Sequence, residues 1–231
     1  MIENPGAYES SNAKSSGLTS FVAKTYLWMF FGLLLTFGIS FGLMYSGIVY
    51  QLYVVMWPLL IAEIVLVLVL SLRITKIKPT TATVLFLLYA VVNGVTLSPI
   101  MSMYKVSSVV MVFAVAALAY GVMAVYGLVT KQDLTRWGKF FFFALIGVLL
   151  MTLVAVLFRL SGLNLIISYV GLAVFLGITA YDNQRIKTMY LSYGGGDAAI
   201  EQKIAIIGAL QMYLDFINIF LYLLRIMGKR N

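Results

Sequence analysis

The 231 residues are 62% hydrophobic and only 10% charged, with a mean hydropathy of +1.01. A water-soluble domain is about 45–50% apolar and about 25% charged, so the composition excludes one and specifies a polytopic integral membrane protein. The net charge of +8 does not indicate nucleic acid, because the charges gather at the ends of apolar segments, and the absence of Cys and His excludes disulfides, thiol chemistry, imidazole catalysis and histidine metal sites.

Residues 1–24 are polar and rich in Ser, Asn and Gly, and read as a disordered cytoplasmic tail. No short apolar core follows a basic start, so the tail does not read as a secretory signal. Crossing the hydrocarbon layer takes about 20 apolar residues. Seven segments meet that length: 25–48, 51–72, 82–104, 106–129, 140–158, 163–181 and 204–225. Residues 25–231 are thus expected to form one all-α domain, a seven-transmembrane helix bundle with antiparallel neighbours. The longest gap, 182–203, contains Gly194-Gly195-Gly196-Asp197 and reads as a flexible loop. Gly32, Gly38, Gly42, Gly121, Gly127 and Gly171 are expected to let helices approach closely.

Eleven of the sixteen Lys and Arg residues fall in the tail and in the second–third, fourth–fifth and sixth–seventh connections. The positive-inside rule places that side, and the N-terminus with it, in the cytoplasm. Arg225, Lys229 and Arg230 are then external if the seventh segment crosses fully, which its apolar length predicts. A re-entrant last segment is the alternative.

Of the eight acidic residues, five lie in tails and loops. The other three are Glu63, Asp182 and Asp215. Glu63 lies halfway along the second segment, where it either fixes packing through a hydrogen bond or lines a path. Asp182 closes the sixth segment, where a carboxylate opposes the helix dipole; a surface pair with Arg185 or Lys187 is the ordinary explanation. Asp215 sits in the middle of the last segment, where an acid costs about 2.5–3.5 kcal/mol on insertion scales. Gln211, Asp215, Asn218, Tyr222 and Arg225 recur every three or four residues and share one helical face, which should turn to the bundle interior or a water-filled cavity. Asn93, Thr96, Ser98 and Pro99 make a polar, kink-prone patch in the third segment, suited to a cavity wall or to small-residue packing. If Asp182 and Asp215 meet, the two carboxyls share one proton. Protonated, they form a neutral plug; ionised, they repel each other or hold a cation through hard oxygen ligands.

Two runs carry a resemblance: Ala180-Tyr181-Asp182-Asn183-Gln184-Arg185-Ile186-Lys187 and Leu210-Gln211-Met212-Tyr213-Leu214-Asp215-Phe216-Ile217-Asn218-Ile219-Phe220. Together with Asn93-Gly94-Val95-Thr96-Leu97-Ser98-Pro99-Ile100 and Glu63, they resemble the Bax inhibitor-1 family, in its bacterial branch. The resemblance implies a seven-helix fold with the last helix central, in a bacterial plasma (inner) membrane. It implies a pH-sensitive calcium leak gated by a di-aspartyl pair, Asp182 and Asp215, with Glu63 as the acidic residue of the second helix and Arg73 as latch. From their own polar faces, Gln211, Asn218 and Asn93 are expected beside Glu63 along the ion path. Asp182, Asp215 and Glu63 would make transient contacts with calcium as cargo. No enzymatic activity and no cofactor are expected. The expected partners are the lipid bilayer, calcium and protons, with no nucleic acid. Two rival readings stand beside the leak. One is a non-conducting regulator that binds another membrane protein, such as a quality-control protease. The other is an intramembrane aspartyl protease, suggested by two helix-borne aspartates and a Gly-x-Gly-Asp string at 194–197.

Overall fold

The computed structural model describes residues 5–160, 162–193 and 196–231, the side chains of residues 5–15 excepted. Glu3 and the Gly194-Gly195 pair lie outside the described residues. Eight α-helices make seven membrane-length spans, and no strand occurs among the described residues. They are α1 (Pro5–Ser46), α2 (Val49–Leu52), α3 (Met56–Arg73), α4 (Pro79–Ser102), α5 (Val106–Val129), α6 (Gly138–Leu157), α7 (Leu163–Tyr193) and α8 (Ala198–Met227). A 3-10 turn at Tyr53–Val55 joins α2 to α3, so these two helices act as one span.

Local chemistry explains the breaks. Gly47 takes φ +75° between α1 and α2, a conformation that a side chain disfavours. Pro79 opens α4 in its first turn, where a missing N–H costs nothing. Asp197 caps α8 by accepting from the Ala199 amide at 2.7 Å. Inside α4, Pro99 cannot donate to the Val95 carbonyl. The Ser98 hydroxyl donates to it instead, at 2.8 Å, which satisfies a carbonyl that has no water to turn to in the membrane.

Three boundaries differ from the sequence expectation by more than three residues. Helix α1 begins at Pro5 rather than after a disordered stretch, and its membrane-length part starts at Ser16. The reason lies in Phe21, which is fully buried and stacked on Tyr190 of α7 at 4.7 Å. Helix α7 does not end at Tyr181 but runs twelve residues further, to Tyr193. Asp182 is therefore an interior residue of a helix, and the long gap shrinks to the short connection before Ala198. Helix α8 likewise starts at Ala198 rather than Ile204. At 31 and 30 residues, these helices are about 46 and 45 Å long at 1.5 Å per residue, longer than the roughly 30 Å of hydrocarbon.

Helix α8 packs against α1, α4, α5 and α7. Of its most apolar window 78% is buried, against 6% for the α2–α3 span and 11% for the span ending in α6. Those two spans lie at the lipid. Phe37 of α1, Phe113 of α5, and Phe216 and Phe220 of α8 meet edge to face at centroid distances of 4.6–6.4 Å, an arrangement favoured by ring quadrupoles. Of the six glycines singled out in the sequence, Gly32, Gly127 and Gly171 do sit where a neighbour leaves no room for a Cβ, whereas Gly38, Gly42 and Gly121 face open space. The tightest is Gly127, where a Cβ would stand 2.2 Å from the Ala180 carbonyl oxygen. Backbone contact there brings α5 onto α7 two residues from Asp182.

Candidate functional site

Two polar nests lie inside the bundle. The first surrounds Asp215, which is 3% exposed on α8, and Asp182, which is 8% exposed on α7. The two aspartates are electrostatic neighbours, and Arg185 is the cation acting on Asp182. No hydrogen bond joins the two carboxyls. The Tyr26 hydroxyl of α1 donates to Asn183 Oδ1 at 2.5 Å, and Asn183 Nδ2 donates to the Thr179 carbonyl at 2.7 Å. The Tyr120 hydroxyl of α5 stands beside Tyr26 and Asn183 and within electrostatic reach of both aspartates. Three buried atoms in this region have no hydrogen-bond partner: Asp215 Oδ2, Gln211 Oε1 and the Tyr120 hydroxyl. Burying such groups unpaired costs about 1–3 kcal/mol each, and most buried polar atoms avoid it. All three are oxygens, the ligand type suited to a proton or a hard cation.

The second nest is built around Glu63 of α3, held by α4. Glu63 Oε1 accepts from Asn93 Nδ2 at 3.2 Å and from the Thr96 hydroxyl. Asn93 Oδ1 accepts from the Tyr213 hydroxyl of α8 at 2.9 Å. That hydroxyl also lies 2.6 Å from Thr36 Oγ1 of α1, whose own hydroxyl donates to the Ala90 carbonyl at 2.8 Å. Tyr213 is two residues from Asp215, about 200° around the helix, so α8 presents one nest on each side.

A family model described as "Inhibitor of apoptosis-promoting Bax1" matches residues 18–231, a range that contains every residue of both nests. The chain belongs to the Bax inhibitor-1 family. Within that family it is 41% identical to the inner membrane protein YbhL of Escherichia coli K12, over 93% of this chain and 94% of that one. It is 40% identical to an uncharacterized protein of Deinococcus radiodurans, over 92% and 91% of the two chains. It is also 34% identical to an uncharacterized membrane protein of Streptococcus pyogenes, over 93% and 95%.

The residues that the Bax inhibitor-1 resemblance singled out divide between the nests. Asp182, Asp215 and Gln211 belong to the first, Glu63 and Asn93 to the second. Asn218 is half-buried and turns back on its own helix, donating to the Leu214 carbonyl at 2.8 Å. Tyr222 packs on Phe175 of α7 at 5.9 Å, and Arg225 is exposed with its guanidinium 5.6 Å from the Tyr222 ring. The polar stripe of α8 thus faces α7 at Tyr222 and leaves the bundle at Arg225. Arg73 is exposed at the end of α3 and makes no ion pair with either aspartate. Among the described residues, no three acidic side chains come together as a ligand set, so Glu63 does not join the aspartates around one ion.

Tyr26, Tyr120, Asn183, Tyr213 and Thr36 were not singled out from sequence. For Asn183 the signal was its place beside Asp182. The tyrosines gave none, because aromatic residues in a membrane chain are common as core and belt.

Proposed function

We propose that this membrane protein of the Bax inhibitor-1 family is a proton-sensitive cation leak, with calcium as cargo and the Asp182–Asp215 pair as gate. The observation that carries the reading is Asp215: a buried carboxyl at the middle of a membrane span, with a second acid as electrostatic neighbour and one oxygen without a partner. An ionisable group at that depth is costly, and it earns its place by handling charge. Ionised, the pair attracts a cation. Loaded with protons, it is uncharged and offers fewer acceptor oxygens.

In this reading α8 is the central helix, Asn183 and Tyr26 hold the α7 side of the gate, and Glu63 forms a second acidic station, separately anchored by Asn93 and Thr96. Arg185 is the cation whose charge reaches Asp182, and Arg73 acts as latch only if α3 moves. The protein sits in a bacterial inner membrane with its Lys-rich end in the cytoplasm, following the positive-inside rule.

The test is calcium flux into proteoliposomes containing the purified protein, stepped across pH. Flux is expected to fall on acidification, and Asp215→Asn to flatten that dependence while the protein still inserts. Wild-type flux with an unchanged pH profile in Asp215→Asn would remove the aspartyl gate.

A further inference from the structure

At the Lys-rich end of the bundle, the connection between α5 and α6 folds against α7. Gln184 fastens it there: its Oε1 accepts from the Leu134 amide at 2.8 Å and its Nε2 donates to the Gln132 carbonyl at 2.7 Å. The fold leaves a cleft of about 310 Å³ whose walls include Lys131, Lys187, Thr130, Thr135 and Thr188. Thr135 is shared with an adjoining cleft of about 620 Å³, lined by Lys139, Phe142, Phe143 and Tyr181. One end of this continuous surface is therefore cationic and rich in hydroxyls, and the other is aromatic.

The charges in the cleft are unbalanced. Asp133 is the one acid present, and it is already engaged. It accepts from the Thr135 hydroxyl and, at 3.0 Å, from the Thr135 amide, and it lies 3.7 Å from Arg136. These contacts, the Thr135 side chain first, hold its carboxyl below the usual aspartate range, so it is ionised at neutral pH and committed to its own turn. Lys131, Lys139 and Lys187 join no ion pair among the described residues. Lys187 gives one N–H to the Leu128 carbonyl at 3.3 Å, which leaves two of its three donors. The level in the bilayer is set by Trp137 and Phe140, 53% and 58% exposed, as in the aromatic belts of membrane proteins. Further along α6, Phe142 and Phe143 are 60% and 67% exposed and offer an apolar surface to acyl chains.

We propose that this surface binds one anionic phospholipid, its phosphate among Lys131, Lys139, Lys187 and the threonine hydroxyls, and its chains over Phe142 and Phe143. Basic pockets between membrane helices suit acidic headgroups, and a phosphate offers acceptors to ammonium and hydroxyl donors together. The adjoining aromatic cleft favours a lipid over a free phosphate, which has no use for it. The site is separate from the aspartyl pair, so its failure leaves the leak reading as it stands.

The test is native mass spectrometry of the full-length protein titrated with phosphatidylglycerol, with phosphatidylcholine, and with glycerol 3-phosphate as a headgroup without chains. Phosphatidylglycerol is expected to be retained at least tenfold more strongly than phosphatidylcholine. At about 1 kcal/mol per basic residue near the surface, each of Lys131→Gln, Lys139→Gln and Lys187→Gln should weaken it about fivefold, and the three together about a hundredfold. Lys229→Gln, at the other end of the bundle, should leave retention unchanged. Equal retention of the two lipids, or a triple variant that still holds phosphatidylglycerol, overturns the proposal. Displacement of phosphatidylglycerol by equimolar glycerol 3-phosphate also overturns it, in favour of a soluble phosphate. If the triple variant does not fold, the single changes at Lys131 and Lys139, both exposed, decide the question: weakened retention supports the lipid site, and unchanged retention in both overturns it.

Discussion

Tyr26 and Tyr120 stand side by side in the first nest, yet their hydroxyls have opposite energetic standing. Tyr26 has a partner in Asn183, whereas Tyr120 is 4% exposed and its oxygen has none. Tyr26→Phe therefore removes a bond at Asn183 Oδ1, at a cost of about 1 kcal/mol, since interior bonds in membrane proteins average about 0.6. Tyr120→Phe removes only an unsatisfied group, and its effect on stability should stay within about 0.5 kcal/mol of zero or be favourable. Thermal unfolding in detergent checks both: the first variant should melt about 2–4 °C lower, and the second at or above wild type. A drop of equal size in Tyr120→Phe would mean that its hydroxyl is bonded after all. The same comparison marks the limit of what sequence reveals at this scale. Asp215 was conspicuous because a carboxyl in hydrocarbon is expensive wherever it points. A tyrosine becomes part of the site only through the direction its hydroxyl takes, which depends on three other helices.

Among the helices, α7 is the element on which the site depends most, and its extent was the least legible. The polar run from Asp182 to Arg185 looked like the end of a span because hydropathy falls there. The helix continues because each of those side chains has a separate use: Asp182 and Asn183 point inward, Gln184 ties down the α5–α6 connection, and Arg185 is exposed. Spans that face lipid, such as α6, were easier to delimit, since apolar length alone defines them. The contact between Gly127 and Ala180 positions α7 against α5. Gly127→Ala would place a methyl carbon 2.2 Å from a backbone oxygen, so the helices must part. Overpacking of this kind typically costs about 1–3 kcal/mol, although alanine is the better helix former by about 1 kcal/mol. The expected net result is a protein that unfolds at lower temperature; under the proposed leak its calcium flux should change too, because Asp182 moves with the backbone two residues away. Gly121→Ala, on the same helix in open space, is the control and should be neutral or stabilising. Equal melting temperatures for the two variants would show that the close approach does not limit stability.

For the molecule as a whole, the end of the chain decides between a full crossing and a re-entrant last span. Beyond α8 the backbone lies across the turn between α4 and α5. The Lys105 amide donates to the Lys229 carbonyl at 2.9 Å, the Asn231 amide to the Met103 carbonyl at 3.0 Å, and the Lys229 amide to Ser108 Oγ at 2.9 Å. Arg230 adds its guanidinium 6.0 Å from the Tyr104 ring. The final residues thus share a face with the α4–α5 turn, while the α5–α6 connection and the start of α8 share the other. Only a complete crossing by α8 gives that arrangement, so the basic end of the chain stands opposite the Lys-rich face despite its own charge. Orientation rules usually weigh the early connections more heavily than late charges, which supports the proposed orientation with the Lys-rich face in the cytoplasm. The absence of cysteine makes the sidedness directly testable. In intact spheroplasts, a membrane-impermeant maleimide should label Lys229→Cys and leave Lys131→Cys unlabelled until the membrane is opened. The reverse pattern would place the Lys-rich face outside and invert the proposed orientation. It would also remove the anionic leaflet from the proposed lipid cleft, so one labelling experiment constrains both the orientation and the setting of that site.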